Sequence, residues 1–305
     1  MVLVHRKTLA YIILSHFLSE NHFILFRNSS MAYHSLFQIF LVLSSLFFSC
    51  THSLAQATRK TTVKATYGFS FAGFPAGNVS AEASFSDDAT YSIDATAKLT
   101  GLAGWFFDGE GTLHSSGSIK DGTFVPSVYH AKGLIEKKPS ELKFTFQDGN
   151  VVAVSGGGKN ESVDYIPFEK RRAVIDTLSS ILLPALPDKE IYSPENCKRT
   201  VHVIGEFWRD LIVRSDSTFA HLSTMYSTLN TFKEKVLVCS METKVTALYN
   251  ASSPISFNPI MLHDEFWFYP LEEARILFPV RIKFARPGGV LTLNLHTLNY
   301  AVNKF

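Results

Sequence analysis

The stretch from Tyr67 to Tyr129 alternates apolar and polar residues in short runs, and each run is cut by glycine, Asp-Gly or proline. Tyr91, Ile93, Ala95, Ala97 and Leu99 fall on one side of an extended chain, with Ser92, Asp94, Thr96, Lys98 and Thr100 on the other. Successive side chains of a strand point to opposite faces, so this pattern reads as a sheet with one dry face and one wet face. Tyr67, Phe69 and Phe71 belong to a first strand, and Val79, Ala81, Ala83 and Phe85 face inward on the next. Asp87-Asp88, Asp121-Gly122 and Asp148-Gly149 are hairpin turns. Turns spaced about ten residues apart belong to an antiparallel meander.

Departures from the alternation carry their own expectations. Trp105, Phe106 and Phe107 are consecutive and cannot share one face of a strand, so that segment is either buried on both sides or partly exposed. Gly109 and Gly111 suggest a bulge or sharp coiling where the strand resumes. Pro126 marks a strand boundary or an edge. Between Arg172 and Leu186, Ile175, Leu178 and Leu182 recur at helical spacing until Pro184 and Pro187, which predicts one short amphipathic helix near Ile175 to Leu183.

Beyond it the chain returns to strands. Thr200–Ile204 and Phe207–Arg214 form a hairpin about Gly205, and residues 215–233 read as a long Ser/Thr-rich connection. Further strands cover Lys235–Leu248, the aromatic run Glu265–Tyr269, the alternation Val280, Ile282, Phe284, and a last strand with Leu291, Leu293 and Leu295. The expected fold is mainly β: a large coiled antiparallel sheet, a half-barrel or β-spiral, with one short helix. With 26 Phe in 305 residues the chain has ample material for a thick apolar face.

Residues 1–57 read as a targeting segment, and 58–305 as a single β-rich exported domain. Leu36 to Phe48 is an uncharged apolar run followed by Ser-Leu-Ala-Gln-Ala, in which Ala55 and Ala57 supply the A-x-A pattern of a signal-peptidase site. The run is shorter than the ~20 residues of a membrane-spanning helix. Met31 is a candidate start, which would leave residues 1–30 outside the protein. An uncleaved anchor and a lipoprotein attached at Cys50 are the rival readings. Once residues 1–57 are set aside, acidic and basic residues balance, which leaves no electrostatic footprint for nucleic acid.

With Cys50 in the leader, Cys197 and Cys239 remain, and two thiols in an exported chain most simply pair; two unrelated buried cysteines are the alternative. Neither has a His at ligand spacing or a C-x-x-C neighbour, so no metal site is expected. Asn28, Asn78, Asn160 and Asn250 each open an Asn-x-Ser sequence, which matters only in a eukaryotic secretory pathway.

Reaction motifs are missing from the sequence. It has no HExxH and no G-x-S-x-G, and Gly156-Gly157-Gly158-Lys159 fails the phosphate-loop pattern because Asn160 follows the lysine. His263-Asp264-Glu265 is the one tight titratable cluster and reads as a solvated loop before the aromatic strand.

Tyr67, Gly73, Gly77, Tyr91, Gly101-Leu102, Gly117, Pro126 and Tyr129, with Cys197, Val238-Cys239 and Phe278-Pro279-Val280-Arg281-Ile282, resemble exported proteobacterial proteins of domain of unknown function three-one-zero-eight. The resemblance runs over nearly the whole of residues 58–305 and rests on structural positions. It implies a periplasmic or envelope β-protein without an established reaction. Gly205-Glu206 stands where that family has an Asp-Gly turn.

The expectation is a non-enzymatic periplasmic cell-envelope protein that supports envelope integrity by binding a lipid, another hydrophobic ligand or an envelope protein. It needs no cofactor, no metal and no nucleic acid, and its membrane association is at most peripheral. The alternative is an envelope hydrolase or transferase with catalytic residues scattered in sequence. A groove is expected along Trp105, Phe106, Phe107, Trp267 and Phe268.

Overall fold

The computed structural model describes residues 59–100, 109–135, 138–156, 163, 166–205, 207–221, 235–248, 260–286 and 289–304. Ala57–Phe305 forms one compact unit. The leader, the proposed cleavage site, Trp105, Phe106 and Phe107 all lie outside the described residues.

Seven strands form an antiparallel meander: β1 (Arg59–Phe71), β2 (Phe74–Ser86), β3 (Thr90–Leu99), β4 (Glu110–Lys120), β5 (Thr123–Ile135), β6 (Lys138–Gln147) and β7 (Asn150–Gly156). Two short strands follow, β8 (Val174–Asp176) and β9 (Leu183–Pro184). The later strands are β10 (Arg199–Ile204), β11 (Phe207–His221), β12 (Lys235–Leu248), β13 (Ile260–Leu271), β14 (Ile276–Arg286) and β15 (Gly289–Lys304). They join one 15-stranded sheet in the order β7-β6-β5-β4-β3-β2-β1-β15-β14-β13-β12-β11-β10-β8, with β9 beside β14. The first and last strands of the chain therefore pair near the middle of the sheet, from Arg59 opposite Lys304 to Phe71 opposite Leu291.

The sheet coils without closing. The segments flanking its two ends touch through the Val151 amide on Arg171 O and the Val174 amide on Gly149 O. Its concave face is the dry face of the sequence pattern. Val63, Ala83, Ile93, Tyr129, Phe144, Leu237, Cys239, Phe266 and Ile282 are buried in one continuous core.

The predicted helix is not formed. Val174–Asp176 is a strand running parallel to β10, Ser179–Ile181 is a single 3-10 turn, and Leu183–Pro184 pairs with Ile276–Leu277. Helical spacing failed because this segment is buried on every side: Val174, Ile175, Asp176, Leu178, Ser179, Leu182 and Leu183 are all buried. A chain with no wet face shows no true periodicity, and β-branched Val174 and Ile175 favour the extended form.

Three smaller expectations also change. Pro126 sits within β5, opposite Gly117 where the β4–β5 register shifts, and pairing with β6 begins only at Val128. The missing proline amide is thus accommodated at a bulge, and a Cβ at Gly117 would collide with Val125 O and Pro126 Cα. The connection expected over 215–233 is strand as far as His221, with a register shift between Arg214 and Thr218. His263-Asp264-Glu265 is not a loop but part of β13. Asp264 is buried and accepts hydrogen bonds from Thr243 Oγ1 (2.9 Å) and the Ala285 amide (3.1 Å).

Candidate functional site

The concave face has two ends, and they differ. One is defined by the turns β2–β3, β4–β5 and β6–β7. There a strap of residues 166–198 crosses the face and fills it. Ile166, Val174, Leu178, Leu182 and Ile191 pack against the sheet core.

Four buried polar side chains fasten the strap. Ser115 of β4 donates to Asp176 Oδ2 at 2.7 Å, and Ser179 donates to the same oxygen from its hydroxyl at 2.7 Å and to Oδ1 from its amide at 2.8 Å. Tyr91 of β3 completes the cluster, 3.0 Å from Ser179 Oγ and 3.3 Å from Ser115 Oγ. Burial pushes the Asp176 carboxyl above its ordinary range, against the hydrogen bonds that hold it down. Burial, and then the neighbouring Asp176, push the Tyr91 hydroxyl up as well. Asp176, Ser115 and Ser179 are fully buried, and the cluster joins the strap to the sheet.

Two further ties hold the same region. Cys197 and Cys239 form the expected disulfide, with Cα atoms 5.7 Å apart, between the strap and β12. Arg199 donates to Gly122 O (2.6 Å), Pro184 O (2.8 Å) and Asn196 O (2.9 Å), stitching the β4–β5 turn to the strap. Burial pulls its pKa down to about 10, which leaves it a cation at neutral pH. Buried Asn196 shapes the strap's return by accepting from the Leu186 amide and donating to Glu190 O and Ile191 O.

At the opposite end the described residues leave part of the concave face unfilled. A pocket of about 240 Å³ lies over the ends of β3, β4, β5 and β6, walled by Ala97, Leu99, Leu113, Ala131 and Leu142 and floored by Gly111 and Gly133. The register explains why space remains. Ala97 pairs with Gly111, Gly111 with Gly133, and Gly133 with Ser140, so a row of minimal side chains crosses the sheet. Toward the strap, the equivalent row is Ile93, Ser115, Tyr129 and Phe144, all buried, and it fills the face. Glu110, Lys132 and Ser140 form the polar rim. Lys132 Nζ lies 3.5 Å from Glu141 Oε1.

Of the aromatic residues expected along a groove, Trp105, Phe106 and Phe107 lie outside the described residues, and Trp267 and Phe268 lie away from this pocket. Phe268 is fully buried and stacks on Phe266 at 5.8 Å between ring centroids. Trp267 occupies the other face of β13, donates to Glu265 Oε1 at 2.6 Å, and lies under Arg281 and Lys283. Neither lines the pocket. The residues that do are mainly glycine, alanine and leucine, whose signal in the sequence was Gly109 and Gly111, read there as a bulge or sharp coiling. Among the described residues no group of His, Cys, Asp and Glu could hold a metal ion.

No family model matches this chain, and no curated protein matches it. Among solved structures, it is similar to the crystal structure of a beta-barrel-like protein of domain of unknown function DUF1849 from Brucella abortus. That likeness has 10% sequence identity and a TM-score of 0.44, and covers 80% of this chain and 98% of the other. No helix among the described residues is long and apolar enough to cross a membrane.

Proposed function

We propose that this is a non-enzymatic binding protein of the bacterial periplasm that holds a hydrophobic ligand, a lipid acyl chain above all, in the open end of its half-barrel. The observation that carries the reading is the row of small residues Ala97, Gly111 and Gly133 beneath apolar walls. A close-packed interior leaves few voids larger than water. An apolar space of about 240 Å³ lined by alanine, leucine and glycine supports a binding site there. Small-molecule pockets begin at about 300 Å³, so this one suits a single narrow chain and not a bulky cofactor.

Export is supported by the Ala55-Gln56-Ala57 leader pattern and by a disulfide between otherwise buried cysteines. The resemblance to domain of unknown function three-one-zero-eight belongs to the same proposal, as does a role in envelope integrity. An envelope hydrolase or transferase is the weaker reading. The only compact set of serine, aspartate and tyrosine side chains among the described residues is the sealed cluster under the strap.

Mass spectrometry of the protein purified without detergent tests the proposal. A co-purified acyl-bearing molecule at near one-to-one stoichiometry is expected. A ligand-free protein that also takes up no added fatty acid would overturn it.

A further inference from the structure

We propose that the protein settles on a lipid bilayer by the hairpin tips beside the pocket, mouth toward the membrane. The inference rests on the acyl-binding reading and names where the ligand comes from. The β1–β2 hairpin ends in Phe71-Ala72-Gly73-Phe74-Pro75, with no charged or hydrogen-bonding side chain anywhere in it. Ala72 (φ 48°) and Gly73 (φ 84°) make the tight left-handed turn, which sets Phe71 opposite Phe74. Both rings project into solvent, at 41% and 67% exposure. The start of β15 adjoins them: the Ala72 amide donates to Val290 O at 3.0 Å, and Val290 is 43% exposed. Val290 thus extends the apolar surface of the β1–β2 tip, with Arg286 ending β14 beside it.

The base of this hairpin adjoins strands that wall the pocket. The Thr100 amide donates to Ala76 O at 3.0 Å, and the Leu99 amide to Gly109 O at 2.9 Å, so the base of the hairpin leads directly to the pocket wall. The turns at the strap end are built differently. Asp87, Asp88, Asp121, Asp148, Glu272 and Glu273 are all exposed on them. Burying a charge in hydrocarbon is costly, whereas an uncharged aromatic tip enters the boundary between headgroups and acyl chains favourably. A projecting tip of this kind inserts between lipids; it offers a protein partner no concave surface to fill. A bilayer is also where acyl chains are found, and this orientation brings the pocket mouth to them without crossing water.

The full chain, purified as the cell processes it, is tested with Phe74→Trp and, at the far end, Lys120→Trp. Vesicles of phosphatidylglycerol and phosphatidylethanolamine brominated along the acyl chains quench a tryptophan only where it enters the bilayer. Relative to the parent, Phe74→Trp should gain a quenched component and Lys120→Trp none. Phe71→Ser/Phe74→Ser should lower vesicle partitioning by about tenfold or more. Absent quenching at position 74, quenching at both positions, or unchanged partitioning of the double variant would overturn the proposal, as would loss of self-association as the variant's only effect. Uptake of fatty acid from solution is measured on the same samples. Uptake without quenching removes the docking alone. Quenching without uptake removes the acyl-binding reading and, with it, the delivery proposed here.

Discussion

The two ends of the concave face are made from the same strands and the same alternation, yet the strap fills one, and the described residues leave space at the other. At the strap end, Tyr91, Tyr129 and Phe144 fill the sheet's curvature, and Leu178 and Leu182 close over them. At the pocket end the same strands carry Ala97, Gly111, Ala131 and Gly133. Side-chain volume, not backbone topology, divides the face into a stable half and a binding half. The covalent bridge, the buried polar cluster and Arg199 all lie in the first half. None of them reaches the second. Stability and binding should therefore be separable by mutation.

The largest effect is expected from the bridge. Closing a loop whose ends are 42 residues apart stabilises by about 4 kcal/mol on the chain-entropy account. Cys197→Ser and Cys239→Ser should lower the melting temperature equally, and the double variant should be no worse than either. Unequal losses would show that one cysteine matters for packing alone.

Asp176→Ala should follow at about 3 kcal/mol, measured by urea unfolding. It leaves the hydroxyls of Ser115 and Ser179 buried without their shared acceptor, and stranding buried polar groups costs about 1–3 kcal/mol each. Acyl uptake by the folded fraction should be unchanged. Loss of uptake at equal folded fraction would mean that the two ends are coupled.

The pH dependence comes next. The Asp176 carboxyl titrates higher in the fold than in the unfolded chain because burial disfavours its charged form. Its contribution is fully present below the unfolded value near 4. Above that, unfolding releases a proton, so stability falls as pH rises until the folded carboxyl also ionises. Asp176→Asn removes this slope. Melting temperatures of the two proteins should diverge in the variant's favour from pH 4 upward. Parallel curves would mean that the carboxyl is not raised.

The smallest effect on stability belongs to the open end. Ala97 is only partly buried, and a larger side chain there enters space that is already open. Ala97→Phe should change unfolding free energy by less than about 1 kcal/mol, because no packed neighbour must move. A large destabilisation would mean that the space is closed in solution.

The alternation of Tyr91 to Leu99, the Asp-Gly turns and the two cysteines made the sheet, its dry face and the disulfide readable in advance, because each is a local signal. The strap was misread because its burial comes from contacts across the sheet, which erase the wet-dry period on which a helix assignment depends. Asp176 gave no signal of its own. Its partners Tyr91 and Ser115 lie on separate strands, 88 and 64 residues from Ser179. The groove was sought among aromatics, of which Trp267 and Phe268 lie away from the pocket and Trp105, Phe106 and Phe107 lie outside the described residues. A cavity is made by what is small, and Ala97, Gly111 and Gly133 become neighbours only through the register.

Titration of a fluorescent fatty acid into the parent, Ala97→Phe and Leu178→Ala proteins tests the division most directly. The account predicts saturable one-to-one binding to the parent, at least about tenfold weaker binding to Ala97→Phe at near-parental stability, and parental affinity for Leu178→Ala despite a cavity cost of about 2–5 kcal/mol. Undiminished binding to Ala97→Phe, or binding lost only in Leu178→Ala, would place the ligand under the strap and contradict it.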